Sequence, residues 1–403
     1  MTKYLLIVLS GASDHPMETL EGKTPLEVSK LPNLNFFAKQ GKVGQVKSHQ
    51  DAFEASPEAA FLATLGYDPK QHYQGPGPFE AANLEIKMEP NEVAFRMNLI
   101  TEFNGTLSDA TAGNISTKEA RALVNYLNKK LASDFVRFFS GNHYRHIAVL
   151  KDSHGFTALS AKTESAEEVA GKPIKDHLPK GPGEELLKKL MYDARLLLQD
   201  HEINQVRVDL KENPANMIWL SGQGTTPALE KFSDRFSLSG AMVAGIEYAK
   251  GVGRLAGLTV LEVSGATGNL ETHYEKKGKA ILDALQEKDF ICVHVRACEE
   301  ASLAGDLKAK IAALEGIDAS ILSKVREYYE ANRETRVLIT SAQTTVTQMR
   351  HSVRDSVPFL LAGKNVMPDE NERMAEQIAK ASHFQVNKKT ELIPLLLSRK
   401  ESI

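Results

Sequence analysis

The stretch that most constrains the fold is Asp289 to Asp306, DFICVHVRACEEASLAGD, where an apolar run ends abruptly in two glutamates and a series of small residues. Phe290, Cys292, His294 and Arg296 alternate with Ile291, Val293, Val295 and Ala297. The short length and the β-branched residues predict a strand buried in a sheet rather than a helix. In α/β sheets, chemistry collects where such strands end, at the carboxyl edge. This edge offers Glu299, Glu300 and Asp306, with no histidine among them. Glu299 and Glu300 are adjacent, so in an extended segment they face opposite ways and cannot share one ion.

Tyr4 to Leu9, YLLIVL, is a second continuous apolar run and is predicted as a strand buried on both faces, broken at Ser10-Gly11. Leu31 to Gln40 has helical spacing and Gly41 to Gln45 restarts an extended segment, while Gly66 to Phe79 is rich in turn residues and reads as a surface loop. From Glu80 to Lys231 short strands (Glu92 to Leu99, Thr106 to Ser108, Arg145 to Leu150, Ile218 to Leu220) mix with helices at Thr117 to Leu131 and Gly183 to Leu198. The α/β rhythm then returns: strands at Leu258 to Val263, Arg336 to Thr340 and Val357 to Ala362, with helices at Tyr274 to Gln286, Leu307 to Tyr329 and Glu370 to Lys380. The pattern predicts an α/β protein with a doubly wound, mostly parallel sheet built from residues 1–79 and 232–403, interrupted by an inserted α+β domain over residues 80–231.

Composition narrows the function classes. A chain of 403 residues with net charge −3 and 25% charged residues carries no broad basic surface, so a nucleic acid is not an expected partner. No apolar stretch reaches the roughly 20 residues needed to span a bilayer, so no membrane association is expected. Two cysteines, Cys292 and Cys298, suit a reduced compartment, and the cytoplasm is the expected location.

Candidate chemistry lies at four strand ends: Ser10 with Asp14 and His15, Ser56 with Glu58, Glu299 with Glu300 and Asp306, and Ser341 to Gln343 with His351. Hydroxyls and amides outnumber strong metal ligands there, whereas a metal hydrolase gathers His, Asp and Glu. Ser56, ahead of Pro57, has the signature of a helix N-cap and is also a weak candidate for a nucleophile on a strand-to-helix turn. Arg96, Arg145, Lys172, Lys250 and Arg254 stand in apolar or glycine-rich surroundings suited to anion contacts. Gly222-Gln223-Gly224 and Gly251-Val252-Gly253 lack the third glycine of a dinucleotide fingerprint and read as turns.

GKTPLE at Gly22 to Glu27, LGYDP at Leu65 to Pro69, GPFEAAN at Gly77 to Asn83, AFRMNL at Ala94 to Leu99, GKPIKDHLPKG at Gly171 to Gly181, ANMIWLSGQG at Ala215 to Gly224, KGVGRLAGL at Lys250 to Leu258 and GATG at Gly265 to Gly268 run in order along the whole chain. Together they resemble the archaeal-type cofactor-independent phosphoglycerate mutases. The resemblance implies an alkaline-phosphatase-like core with an inserted substrate-covering domain. It also implies isomerisation of 2- and 3-phosphoglycerate through a phosphoserine, with two divalent metals such as Mn or Mg. Laid on that pattern, the first-strand aspartate falls on Ser10, the nucleophilic serine on Pro57 beside Ser56, and the following asparagine on Phe61. The family's Asp-Glu-Ala-Gly-His becomes Glu299, Glu300, Ala301, Ser302 and Leu303, the Asp-His pair becomes Ala342 and Gln343, and the last histidine falls on Ser352 beside His351. Leucine and alanine supply no lone pair to an ion. The expectation is therefore no metal site, no cofactor and lost mutase chemistry. A binding, regulatory or structural role follows, with a protein partner, an active paralogue or a phosphorylated small molecule as the expected company. The alternatives are an active mutase using shifted ligands, and a metal-independent binder of a phosphate ligand. Arg96, Arg145, Lys250 and Arg254 match basic family positions and are the expected substrate-binding residues, while Glu167 and Glu168 stand where the family has His-Asp.

Overall fold

The computed structural model describes residues 2–47, 56–151 and 158–398. The chain divides into two compact units, Met1–His72 with Ala228–Ile403, and Tyr73–Pro227. No helix among the described residues is long and apolar enough to cross a membrane.

In chain order the strands are β1 (Tyr4–Leu9), β2 (Gly41–Val46), β3 (Glu92–Phe103), β4 (Thr106–Asp109), β5 (Val136–Phe139), β6 (Arg145–Lys151), β7 (Met217–Gly224), β8 (Gly240–Val243), β9 (Thr259–Val260), β10 (Phe290–Val295), β11 (Arg336–Thr340), β12 (Thr344–Val346), β13 (His351–Val353), β14 (Val357–Gly363) and β15 (Gln385–Val386). The first unit carries an eight-stranded sheet in the order β15-β2-β14-β11-β1-β10-β8-β9. β14 runs antiparallel to both of its neighbours, and every other ladder of this sheet is parallel. The two apolar runs found in the sequence, far apart in the chain, lie side by side: Tyr4 pairs with Phe290 and Leu9 with Val295. Leu5, Ile7 and Leu9 share one face with Ile291, Val293 and Val295, in a core that also takes Phe37, Ile281, Leu314 and Ile317. On the opposite face Phe290 stacks on Phe232, and His294 meets Phe61 edge-on. Both faces of β1 and β10 are thus covered, which is why their sequences show no polar alternation.

The second unit is built on β3, which pairs antiparallel with β4, β6 and β7, while β5 extends β6. The helices Thr117–Leu131 and Glu184–Leu198 pack their apolar stripes on it, around the buried Trp219.

Four expectations change. Glu299 and Glu300 are not in an extended loop: β10 stops at Val295 and a helix, Ala297–Ala304, begins at once, closed by Gly305 in the left-handed region. The good helix formers Ala297, Glu299, Glu300 and Ala301 explain the early start, and glycine the stop. The Gly66 to Phe79 loop contains the helix Pro69–His72 and the start of Gly77–Asn83. The strand expected over Leu258 to Val263 shortens to Thr259–Val260 at the sheet edge, where partners end. The helix expected over Glu370 to Lys380 narrows to Glu376–Ala381.

Candidate functional site

Three strands end together at the carboxyl edge of the core: β1 at Leu9, β10 at Val295 and β11 at Thr340. Gly11, with φ of +71°, passes so close to the helix after β10 that an added Cβ would stand 2.4 Å from Glu299 Cα. That approach brings Ser10 Oγ to Glu299, which accepts its hydrogen bond at 2.6 Å and, on the other oxygen, one from Arg296 Nε at 2.9 Å. Asp14 is bound as tightly. It accepts from Lys310 Nζ at 2.7 Å, from Thr347 Oγ1 at 2.6 Å and from the His15 amide at 2.8 Å. Lys310 also donates to Thr345 O at 3.1 Å. Burial lowers the Lys310 pKa and the Asp14 carboxylate opposes that fall. Gln343 Nε2 donates to Ser352 Oγ at 2.5 Å, Thr345 Oγ1 lies 3.2 Å from Ser352 Oγ, and Gln343 Oε1 is buried with no partner among the described residues.

These groups do not fit two divalent ions. Each such ion takes several oxygen or nitrogen ligands with free lone pairs. Glu299 and Asp14, two of the carboxylates at this edge, are already bound by hydroxyls and by protein cations. His15 pairs with Asp355 at 2.6 Å in an exposed position, and His351 lies exposed on β13. Asp306 is spent as the N-cap of the next helix, accepting from the Ala309 amide at 2.9 Å. Among the described residues, no three His, Cys, Asp or Glu side chains converge to hold a metal ion.

Ser56 caps the helix Pro57–Thr64: its Oγ accepts from the Ala59 amide at 3.1 Å and lies 3.2 Å from Glu58 Oε2. The four basic residues read as one substrate set fall two in each unit. In the second unit Arg96 is buried and clamps Glu80, with Nε 3.0 Å from each carboxylate oxygen, and Arg145 donates to Glu167 at 3.0 Å. Burial would raise the Glu167 carboxyl, but Arg145 and Arg96 pull it down to about 2. Glu168 is used as the partner of Ser165 in a capping box. In the first unit Lys250 and Arg254, one turn apart, both reach Glu262, at 2.7 Å and 3.4 Å. Lys172 forms no part of either pair. The Gly222 and Gly253 segments lie in β7 and in the helix Glu247–Leu255, with Gly253 packed on Met242.

Sequence reasoning missed the buried lysines Lys277, Lys310 and Lys389. A signal for the first two was present: each occupies a position where its helix otherwise places Ile281 and Leu285, or Ala313, Leu314 and Ile317, against the core. Lys389 donates to Ser341 O at 2.7 Å, and burial pushes its pKa down to about 7.

Over 369 residues, 91% of this chain and 90% of the other, the sequence is 38% identical to 2,3-bisphosphoglycerate-independent phosphoglycerate mutase 2 of Methanothermobacter thermautotrophicus. The chain belongs to the 2,3-bisphosphoglycerate-independent phosphoglycerate mutase family. The model of that family matches residues 38–204. The mutase of Methanothrix thermoacetophila is 35% identical over 98% of this chain and 100% of its own length. Among solved structures, a protein from Pyrococcus horikoshii superposes with a TM-score of 0.81 at 26% identity, each chain covered in full. The cofactor-independent phosphoglycerate mutase from Thermoplasma acidophilum gives 0.62 at 25% identity, covering 98% of this chain and 99% of its own. Within this mutase family fold, the strand ends carry Ser10, Glu299, Gln343 and Ser352 bonded mainly to one another and to Arg296 and Thr345.

Proposed function

We propose that this family member keeps the phosphoglycerate mutase fold without its two-metal phosphoserine chemistry, and acts by binding, as a regulatory or structural protein. The observation that carries this reading is the closed hydrogen-bonding of the carboxyl edge. Glu299 is held between Ser10 and Arg296, and Asp14 between Lys310 and Thr347. An ion entering there would have to break charge-assisted bonds in a desolvated place, and Lys310 already supplies a positive charge to Asp14. The phosphoryl-transfer chemistry needs a hydroxyl activated by a metal or a base. Ser56, the hydroxyl in question, accepts from the Ala59 amide and donates to Glu58, the arrangement of a helix N-cap.

A second reading, an active mutase, is favoured by the curated relatives, which are named as phosphoglycerate mutases and are 31–38% identical to this chain. In that case Ser56 and Glu58, 3.2 Å apart, are the residues from which a shifted site would start. Interconversion of 3- and 2-phosphoglycerate by the purified chain, with Mn²⁺, Co²⁺ and Mg²⁺ each in excess, separates the two. No turnover is expected beside an active relative as control. Turnover that rises with added metal and disappears in Ser56→Ala establishes the second reading.

A further inference from the structure

The second unit holds two polar side chains whose bonding the strand ladder and the basic pairs leave incomplete. Asn98, on β3, is 1% exposed, and neither its Oδ1 nor its Nδ2 has a hydrogen-bond partner among the described residues. Arg145, at the start of β6, gives one Nη to Glu167 and keeps its Nε buried and unpartnered among the described residues. The register sets Asn98 directly opposite Arg145, and residues so opposed in an antiparallel ladder project to one face with their Cβ atoms about 5 Å apart. Arg96, two residues before Asn98, shares that face. On its other side Asn98 stands opposite Trp219 of β7, whose indole N–H is already given to Glu164 O at 2.8 Å. A carbonyl acceptor and a guanidinium donor therefore stand in register on adjacent strands and do not bond each other.

The surroundings set the charge of what fits there. Further along the same face Ala94, Ile147 and Val149 close against Ala81 of the helix Gly77–Asn83, which leaves the end with Arg96, Asn98 and Arg145 as its polar part. Each guanidinium at that end already has its own carboxylate. Arg96 holds Glu80 with Nε 3.0 Å from both oxygens, and Arg145 holds Glu167 at 3.0 Å. Two positive and two negative charges cancel. An incoming anion would meet Glu80 and Glu167 and would have to take a guanidinium from one of them. The unpartnered atoms ask for something else: an N–H for Asn98 Oδ1, and an acceptor for Asn98 Nδ2 and Arg145 Nε. Buried polar atoms left without bonds are costly, so a ligand that supplies those bonds is favoured. The Arg145 side chain keeps 26% exposure, a route from solvent.

We propose that this end of the β3–β6 face binds an uncharged carboxamide, its N–H donating to Asn98 Oδ1 and its carbonyl oxygen accepting from Asn98 Nδ2 and Arg145 Nε. A primary amide puts a donor and an acceptor with two lone pairs side by side without charge, the complement of the Asn98 side chain itself. Glu167 holds Arg145 and keeps anions out. The inference rests on the reading that the chain binds rather than isomerises, and it gives that binding a ligand class.

Acetamide and acetate, alike in shape and different in charge, are the probes. The full chain is labelled with ¹⁵N in its asparagine side chains, the Asn98 amide signal is identified by its loss in Asn98→Ser, and each probe is titrated at neutral pH. Acetamide is expected to move the Asn98 signal saturably, and acetate to leave it in place. Glu167→Gln is expected to admit acetate, strengthening its binding by about tenfold or more. Acetate that moves the wild-type signal as strongly as acetamide overturns the proposal. So does an Asn98 signal that acetamide leaves unmoved, the result for an amide satisfied by buried water alone. Should Asn98→Ser fail to fold, the signal is assigned in the wild type by through-bond correlation to the Asn98 backbone, and the same titrations decide. Mutase turnover is assayed separately with metals in excess. No turnover and no acetamide effect sinks this inference alone, whereas turnover without an acetamide effect sinks both it and the reading on which it rests.

Discussion

Lys310 Nζ lies 2.7 Å from Asp14 Oδ2 with both side chains shielded completely from solvent. One partner comes from the loop after the first strand and the other from a helix almost three hundred residues later. Removing one member of such a pair leaves an uncompensated charge in the interior. Lys310→Met is therefore expected to lose about 3–5 kcal/mol of stability. Adding Asp14→Asn should recover part of it, giving a coupling of about 2 kcal/mol in a double-mutant cycle of denaturant unfolding. Additive losses would mean that the two groups do not act as a pair.

Gly11 sets the distance between the first strand and the helix that carries Glu299. Its φ of +71° and the 2.4 Å approach of an added Cβ to Glu299 Cα leave alanine no room. Gly11→Ala should cost at least about 2 kcal/mol, because neither the backbone conformation nor the contact can be kept. Thermal unfolding checks this, and a variant within experimental error of the wild type would show that the two segments separate easily.

Lys389 makes stability depend on pH. Its folded pKa of about 7 lies below the ordinary lysine value of 10.5, so between those values the unfolded chain binds the extra proton and the folded chain does not. Stability should accordingly rise with pH from about 7 upward, by at most about 1.4 kcal/mol per unit from this group. Below pH 7 both states are protonated and the contribution is flat. Lys389→Met should remove that part of the slope in urea titrations at pH 7, 8 and 9, and an unchanged slope would place the origin elsewhere.

Ser56→Ala tests the hydroxyl directly. As an N-cap its loss should cost about 1 kcal/mol and little else. A stability loss near that value, with no effect on any measured phosphoglycerate turnover, fits the capping role. A selective loss of turnover in a fully folded variant assigns it as nucleophile.

Much of the core was legible because its signals are local. The short length and β-branched residues of YLLIVL and FICVHV favour strands buried on both faces, and a single sequence displays those signals directly. The Ser56 cap and the helix over Thr117 to Leu131 were readable for the same reason. The helix start at Ala297 was not, since the end of an apolar run does not say whether the chain goes on extended or turns. Where Glu299 points was settled by Gly11 pressing against it from another strand.

By itself the sequence determined the family, the alternation of strands and helices, and the residue types that stand at the carboxyl edge. The tertiary structure alone decided what those residues do to one another. It paired Ser10 with Glu299, Asp14 with Lys310 and Gln343 with Ser352, and it bound Arg96 to Glu80, Arg145 to Glu167 and Lys250 to Glu262. It also buried Lys277 and Lys389 without carboxylate partners among the described residues. The physical reason is range: propensity and periodicity act over a few residues, whereas desolvation and hydrogen bonding between strand ends depend on groups that only folding brings within 3 Å.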